Sequence, residues 1–201
     1  MAHIIISLGG SLIVPDEIDM GFLSAFIELI KERIGLGERF IIITGGGKLA
    51  RRYQGAAAGL KPLSIEQSDW VGIYATRLNG EFLRIVFGDL AHNELVTDPR
   101  ALSDVSRPVV VAAGWKPGWS TDFDAVELAK CVSARSVINL SNIDFAYDKD
   151  PKKYADAKKI EKINWAEFRK LIPEHWDPGL NSPFDPIASK AAEAQGLTVA
   201  I

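Results

Sequence analysis

The apolar positions of this chain fall into short runs that alternate with stretches of helical spacing. Residues 4–8 form an apolar, β-branched run that ends at Gly9 and Gly10, as expected of a buried strand that enters a turn. Apolar residues then recur every three or four positions over residues 18–30, which predicts a helix that ends by residue 37.

The same pattern follows a second time. An apolar run over residues 40–44 stops at three consecutive glycines, residues 45–47, and a helix-compatible stretch follows over residues 48–58. Strand, glycine turn and helix therefore occur twice in succession. This alternation favours parallel strands with helices on both faces of the sheet.

The rest of the chain continues the alternation. A long helix is predicted over residues 70–87, after a polar stretch over residues 64–69, and the later elements follow in the order strand, loop, helix, strand, helix, helix, strand. They cover residues 109–113, 114–121, 122–134, 136–140, 165–172, 186–195 and 197–201. The sequence predicts an α/β fold, a three-layer α/β/α sandwich with a mainly parallel central sheet, in one domain over residues 1–201.

Composition is that of an ordinary globular chain and argues against two kinds of partner. Of 201 residues, 47% are hydrophobic, and the longest apolar runs are far shorter than the roughly 20 residues that span a bilayer. The net charge of −3 lacks the basic excess that nucleic-acid binding requires, so we expect neither a membrane nor a nucleic acid as partner. The first residues do not show the pattern of a secretory signal, so we expect none, and the single cysteine, Cys131, cannot form an internal disulfide. Both points favour a cytoplasmic setting.

Two glycine turns are the first candidates for chemistry. We call Gly9-Gly10 the first glycine turn and Gly45-Gly46-Gly47 the second; both follow predicted parallel strands, where ligands bind in open α/β sheets. Glycines let backbone N–H groups approach phosphate oxygens at a helix start, and Lys48 adds a cation. Neither turn has the spacing of a Walker A loop or a Rossmann motif. The alternative interpretation of the second glycine turn is a tight turn that binds no ligand.

Six segments of the sequence occur together in the order and approximate spacing of a known family. Over essentially the whole chain, the sequence resembles the archaeal-type uridylate kinases of the amino acid kinase family. The segments are residues 45–51 (GGGKLAR), Asp69 with residues 76–79 (TRLN), 117–122 (PGWSTD), 141–144 (SNID), 147–151 (YDKDP) and 185–190 (DPIASK). The resemblance implies phosphoryl transfer from ATP. It also implies a further helix and strand after residues 197–201, which this sequence lacks.

The resemblance assigns one group of residues to ATP. The positions that match contacts with the ATP phosphates are Gly10, Ser11, Gly47 and Arg51. The positions that match the surroundings of the adenine and the ribose are Ser141, Tyr147 and Asp150.

A second group of residues matches the acceptor side. Gly46 matches a position that approaches the phosphate of the acceptor nucleotide, and Asp69 matches the acidic residue that holds the ribose of UMP. Residues 115–121 match the loop that wraps the acceptor, and we call them the tryptophan loop. Its members are Trp115, Lys116, Pro117, Gly118, Trp119, Ser120 and Thr121.

Three charged residues are the candidates for catalysis. Phosphoryl transfer depends on alignment and on neutralisation of charge, and Lys48 is placed to supply a positive charge. By the resemblance, Lys190 matches a lysine that reaches the transferring group, and Asp122 matches a carboxylate that organises the active-site cations. Mg²⁺ is expected to arrive on the phosphates of ATP and to keep several waters, so no protein metal ligand is assigned.

Several of these residues also have a purely structural interpretation. Asp122 and Asp124 stand near a predicted helix start, where carboxylates commonly cap, and the resemblance favours a functional role for Asp122 alone. Asp69 could cap the helix predicted from residue 70, and Lys190 could be a solvated lysine. The two tryptophans of the tryptophan loop could anchor it by hydrophobic packing, or one could stack on the base of the acceptor.

Two departures from the pattern of the family bear on function. Ser7 occupies a place where many members of the wider family carry a lysine, and Lys48 could take over that role. Trp115 and Trp119 stand where smaller residues or histidines are expected, which leaves the identity of the acceptor open.

The sequence therefore predicts a phosphotransferase that converts ATP and UMP into ADP and UDP. The alternatives are a kinase of another small phosphate or carboxylate, such as isopentenyl phosphate or an acylated amino acid, and a non-catalytic nucleotide- or oxyanion-binding protein. Members of the family commonly form homo-oligomers, often hexamers, so we expect a closed homo-oligomer.

Overall fold

Five parallel strands form one sheet. The computed structural model describes residues 3–103, 105–143, 145–149, 151, 153–173 and 182–201. Each pair of neighbouring strands is parallel, as predicted, and their order in space is β3-β2-β1-β4-β5. The strands are β1 (His3–Leu8), β2 (Arg39–Thr44), β3 (Val109–Ala113), β4 (Ser136–Leu140) and β5 (Thr198–Ala200). The strand order reverses between β1 and β4, and ligands of open α/β sheets bind at the carboxyl ends beside such a point.

The helices lie between and beside these strands. In the described part of the chain they are α1 (Gly10–Ile13), α2 (Met20–Gly35), α3 (Gly47–Leu60), α4 (Ile65–Phe87), α5 (Thr121–Cys131), α6 (Trp165–Leu171) and α7 (Pro186–Ala194). Two short 3-10 helices cover Gly88–Leu90 and Pro99–Ala101. No helix in the described ranges is long and apolar enough to cross a bilayer.

Alternate side chains of the strands pack on opposite faces of the sheet. Ile5 and Ile43 lie in a buried cluster with residues of α5, α6 and α7. Ile6 and Ile42, each next to one of them in sequence, lie in a second buried cluster with residues of α1, α2 and α4. Because the strands are buried on both faces, they read as continuous apolar runs. The predicted three-layer α/β/α architecture is confirmed.

Helix α4 begins earlier than the sequence predicts. The predicted start was residue 70, but the helix starts at Ile65 and Ser64 is its N-cap. Ser64 Oγ accepts a hydrogen bond from the Gln67 N–H, and Gln67 Oε1 accepts one from the Ser64 N–H, both at 3.1 Å. This capping box explains why a polar stretch starts the helix. Asp69 therefore lies inside α4, and its interpretation as a helix cap is wrong.

The two glycine turns pack directly against each other at the carboxyl ends of β1 and β2. A Cβ atom on Gly10 would lie 2.3 Å from the carbonyl oxygen of Gly45. A Cβ atom on Gly47, whose φ is +56°, would lie 2.3 Å from the carbonyl carbon of Gly10. Backbone atoms cannot move aside as a side chain can, so both positions require glycine. The starts of α1 and α3 are thereby held side by side.

Gly10→Ala is expected to lower the free energy of unfolding by about 2 kcal/mol or more, because its methyl group would overlap backbone atoms of the second glycine turn. Urea unfolding followed by circular dichroism measures this change. Gly55→Ala in α3 is the matched control, because a Cβ atom there meets nothing within 4 Å. That variant should gain about 0.5–1 kcal/mol from helix propensity. Equal stability of Gly10→Ala and the unmodified protein would contradict the contact between the turns.

Candidate active site

The two helices that follow the glycine turns start without a side-chain cap. In α1 and α3 the N-cap residues are Gly9 and Gly46, and no described side chain accepts a hydrogen bond from either first turn. The other described α-helices have side-chain caps, from Asp19, Ser64, Ser120, Asn164 and Asp185. The first N–H groups of α3 and the positive end of its dipole therefore lack an internal acceptor. Such a helix start suits a phosphate group.

Basic side chains of α3 lie close to this start. Lys48 Nζ is 3.2 Å from both carboxylate oxygens of Asp16, and Arg52 Nη2 is 2.9 Å from one of them. Arg51 Nη2 donates a hydrogen bond to Ser11 Oγ at 3.4 Å, which joins two of the predicted phosphate-binding residues. These pairs are largely exposed and contribute little to stability. An anionic ligand can therefore compete with Asp16 for Lys48.

A cavity of about 210 Å³ opens beside the second glycine turn, between α3, α4 and the start of α5. The structure brings a large part of the predicted site together here: Gly46, Gly47, Arg51, Asp69, Trp119, Ser120 and Thr121. The other lining residues had no predicted role; they are Ala50, Gln54, Gly72, Ile73, Thr76 and Gly114. Lys48, Asp122 and the first glycine turn lie outside this lining.

Helix α4 holds the tryptophan loop through two charged side chains. Asp69 Oδ2 accepts a hydrogen bond from the Gly118 N–H at 2.8 Å. Arg77 donates through Nε to the Gly114 carbonyl at 3.2 Å and through Nη2 to the Trp115 carbonyl at 2.9 Å. The residue predicted to hold a ribose therefore also fixes the loop that would enclose it. Sequence reasoning placed Arg77 in a family segment but gave it no role.

Two buried polar residues of α4 join the loop to the second glycine turn. Thr76 Oγ1 accepts a hydrogen bond from the Gly114 N–H at 2.8 Å, and Asn79 Nδ2 donates one to the Gly45 carbonyl at 2.9 Å. Thr76 and Asn79 stand three residues apart, so they lie on one face of the helix. Polar residues on an otherwise apolar face of a predicted helix were the signal in the sequence that could have indicated these two contacts, because buried polar groups are usually hydrogen-bonded.

The two tryptophans differ in their positions. The Trp119 ring lines the cavity and stacks on Phe123, with ring centroids 4.1 Å apart. The Trp115 ring lies outside the cavity lining, 6.5 Å from Trp119, with Arg100 and Lys116 over it at 4.7 and 4.1 Å. Both tryptophans pack against the buried cluster on the α5 side of the sheet. Hydrophobic anchoring therefore describes both indoles, and Trp119 alone is also placed to meet a ligand in this cavity.

Asp122 joins three elements at the carboxyl edge of the sheet. Its Oδ1 accepts a hydrogen bond from Ser7 Oγ at the end of β1, and its Oδ2 accepts one from the Asp185 N–H at the start of α7, both at 3.1 Å. Burial raises the pKa of Asp122 to about 6, against the lowering effect of these two hydrogen bonds. Ser120 is the N-cap of α5, with Oγ 3.2 Å from the Phe123 N–H. The capping interpretation of Asp122 and of its neighbour Asp124 is wrong.

Asp124 is a buried acid without a predicted function. Its side chain is 0% exposed, and its Oδ2 accepts a hydrogen bond from the Trp115 N–H at 3.1 Å. Burial raises the pKa of Asp124 to about 7; the Trp115 N–H opposes this rise, and the charges of Glu127, Asp98 and Asp122 add to it. An acid within an apolar helix segment was the signal that could have found it.

Two of the predicted donor-side residues, Ser141 and Tyr147, lie in the described part of the chain after β4. Ser141 follows this strand beside the first glycine turn: a Cβ atom on Gly9 would lie 3.5 Å from the Ser141 Cα. The Ser141 Oγ is buried and has no partner among the described residues. Tyr147 forms an antiparallel bridge with Lys159. Asp150 lies outside the described residues.

Lys190 is not part of the cavity at the second glycine turn. It is exposed on α7 and lines a separate cavity of about 230 Å³ together with Arg169, Ile172, Pro173 and Pro186. The structure therefore brings together the two glycine turns, and it connects Asp122 to the strand that carries the first of them. Lys190 instead lies in the separate cavity, near Arg169 of α6.

Comparison with known proteins identifies the scaffold. A sequence model described as the amino acid kinase family matches residues 3–201. The chain belongs to the amino acid kinase family. Both the predicted family and the predicted fold are confirmed.

The relatives of this amino acid kinase include uridylate kinases of archaea. The uridylate kinase of Methanoculleus marisnigri is 32% identical over 205 residues, which cover 100% of this chain and 86% of that protein. The uridylate kinase of Thermococcus kodakarensis is 32% identical over 194 residues, covering 94% and 84%. The crystal structure of uridylate kinase from Archaeoglobus fulgidus matches with a TM-score of 0.83 at 30% identity, over 99% of this chain and 90% of that one.

Asp124→Asn is expected to stabilise this amino acid kinase at about pH 8 and to change its stability much less at about pH 5. The pKa of about 7 in the folded protein lies above the ordinary value of 3.8, so the folded state binds the extra proton between these values. The stability that this proton gives is lost as the pH rises through the folded pKa. At the higher pH the folded protein buries a charged carboxylate near three other acids, and asparagine removes that cost.

Urea unfolding of both proteins at the two pH values measures the difference. An equal effect of the substitution at both pH values would contradict the raised pKa.

Proposed function

We propose that this chain transfers the γ-phosphoryl group of ATP to UMP, giving ADP and UDP. The observation that carries the proposal is the second glycine turn, which borders two sites at once. On one side it starts a helix whose first N–H groups have no side-chain cap, and on the other it lines the cavity that contains Asp69. Phosphoryl transfer needs such a shared border, because donor and acceptor phosphates must meet in line. The uridylate kinases among the relatives support UMP as the acceptor.

The donor phosphates would lie over the two glycine turns. The close contact between Gly10 and Gly47 places the starts of α1 and α3 side by side, so backbone N–H groups of both turns could bind the same phosphates. Ser11 and Arg51, already within reach of each other, would bind the same phosphates. Ser141, Tyr147 and Asp150 are proposed to contact the adenine and the ribose.

The acceptor would occupy the cavity. Gly46 would approach the phosphate of UMP, Asp69 would hold its ribose, and the indole of Trp119 offers a flat surface for the base. The rest of the tryptophan loop would enclose the nucleotide; these residues are Trp115, Lys116, Pro117, Gly118, Ser120 and Thr121.

Catalysis would rest on neutralisation of charge. Lys48, released from Asp16, would approach the transferring group, and Asp122 would orient the cations without acting as a base, because the acceptor phosphate is already anionic. Mg²⁺ bound to ATP would neutralise the phosphate oxygens. Among the described residues no group of three or more His, Cys, Asp or Glu could hold a metal ion. A role for Lys190 stays a prediction.

A coupled ADP-release assay across UMP, CMP, isopentenyl phosphate and an acylated amino acid tests the proposal. UMP should give the highest kcat/KM, and Lys48→Ala should lower kcat by about 100-fold, because a positive charge is lost from the transition state. Arg52→Ala is the matched control: it removes a cation that also pairs with Asp16 but that has no proposed role at the transferring group.

Turnover of a non-nucleotide with UMP inert would reject UMP as the acceptor. Binding of ATP without any transfer would instead favour the non-catalytic alternative.

We also propose that the chain forms a homo-oligomer through α4. Tyr74, Leu78 and Ile85 are 63%, 62% and 63% exposed, and their spacing places them on one face of the helix. An apolar stripe of this kind is commonly covered by a partner, and a second copy related by two-fold symmetry would present the same stripe in return. The hexameric state and the cytoplasmic setting stay predictions.

Leu78→Glu is expected to lower the molar mass measured by sedimentation velocity, because it introduces a charge on each side of the two-fold contact. Leu36→Glu is the control, since Leu36 is 70% exposed at the end of α2, away from the stripe. An unchanged mass for Leu78→Glu would exclude this face.

A further inference from the structure

A single buried carboxyl group holds the tryptophan loop from the side of α5. Asp124 Oδ2 accepts the Trp115 N–H at 3.1 Å, while Oδ1 has no hydrogen-bond partner among the described residues. Glu127 and Asp98 carry like charges near it. A buried acid with a free oxygen and acidic neighbours costs stability, so packing alone gives no reason for it.

The same peptide is held from the opposite side by α4. Arg77 donates to the carbonyl oxygens of Gly114 and Trp115, whereas Asp124 accepts from the N–H of Trp115. The peptide unit between Gly114 and Trp115 is therefore held through both its carbonyl oxygen and its N–H. It cannot rotate without breaking a hydrogen bond to a charged group, and such bonds are about twice as strong as neutral ones.

A stack of aromatic rings carries this placement to the cavity. The ring of Trp115 lies 6.5 Å from that of Trp119 with an angle of 21° between their planes, and Trp119 lies 4.1 Å from Phe123 at the same angle. Phe123 and Asp124 are consecutive residues of α5, so the helix holds both ends of the stack. Trp119, between them, is the ring that lines the cavity.

We propose that Asp124 is a positioning residue for the acceptor. By holding the Trp115 N–H it sets the place of Trp119 at the cavity wall, and so determines how tightly the acceptor nucleotide binds. The proposal rests on the proposed function in that the acceptor is UMP. Asp124 acts through Trp119, which lines the acceptor cavity, so its effect should be on acceptor binding rather than on the ATP site.

Steady-state kinetics of Asp124→Val and Asp124→Asn test the proposal. Valine is similar in size to aspartate but leaves the Trp115 N–H unpaired, and it should raise KM for UMP by about tenfold with little change in KM for ATP. Asparagine has the same shape and can accept the bond through its side-chain oxygen, so it should restore KM for UMP to near its original value.

A destabilising control variant distinguishes a positioning role of Asp124 from a purely structural one. Val126→Ala creates a cavity at a fully buried position of α5 that is not in the tryptophan loop or the cavity lining. It should lower the unfolding temperature and leave KM for UMP unchanged. If Asp124→Val fails to fold, Asp124→Ala gives the same comparison without a branched side chain.

Three results would overturn the proposal: an unchanged KM for UMP in Asp124→Val, equal rises of KM for UMP and ATP, or an asparagine variant as impaired as the valine one. These results leave the proposed function intact, because the unmodified enzyme would still phosphorylate UMP. If the unmodified protein does not act on UMP, the proposed function and this proposal both fall.

Discussion

The close backbone contact between the two glycine turns is the constraint on which the site depends. It brings the ends of β1 and β2 so near that no side chain fits between Gly10 and the second turn. The starts of α1 and α3 are thereby fixed relative to each other. Asn79 adds a hydrogen bond to the carbonyl of Gly45, which ties the second turn to α4.

Helix α4 then links this constraint to the tryptophan loop. The same helix forms the hydrogen bond to the second glycine turn and, through Asp69, Thr76 and Arg77, hydrogen bonds to the tryptophan loop and to Gly114 just before it. Its position is itself fixed by a capping box at one end and by buried apolar residues along its length. The shape of the cavity therefore depends on the hydrogen bonds that α4 makes to these two segments.

Burial of acids at the carboxyl edge works against stability. Asp122, Asp124 and Asp185 all have pKa values raised by burial, and Oδ2 of Asp185 has no partner among the described residues. A fold selected for stability alone would place apolar residues there. Sites that carry chemistry commonly keep such costly groups, and the surrounding core compensates for them.

The sequence predicted most of the fold because strand runs and glycine turns are local signals. The predicted strands over residues 4–8, 40–44 and 109–113 are all present in the structure. The predicted start of α4 was wrong because the capping box lies in a polar stretch that has no apolar periodicity. The site was predicted less completely. The contacts of Arg77 and Asp124 join residues that are distant in sequence or on different elements, and no spacing rule reveals them.

The family segments placed the candidate residues along the chain, but they did not show which of them share a cavity. Lys190 lines a cavity with Arg169 and Ile172, apart from the cavity beside the second glycine turn. The need for glycine at Gly10 and Gly47 has a structural cause, because a Cβ atom at either position would overlap backbone. Their contacts with the phosphates of ATP stay predictions.

The missing cap of α3 makes this helix incomplete in the absence of a ligand. In most helices a serine, threonine, aspartate or asparagine occupies the place that Gly46 leaves open. A bound phosphate group would complete the helix in its stead, so recognition of the nucleotide and the final ordering of this turn would be one event. Part of the binding free energy would then appear as added resistance to unfolding.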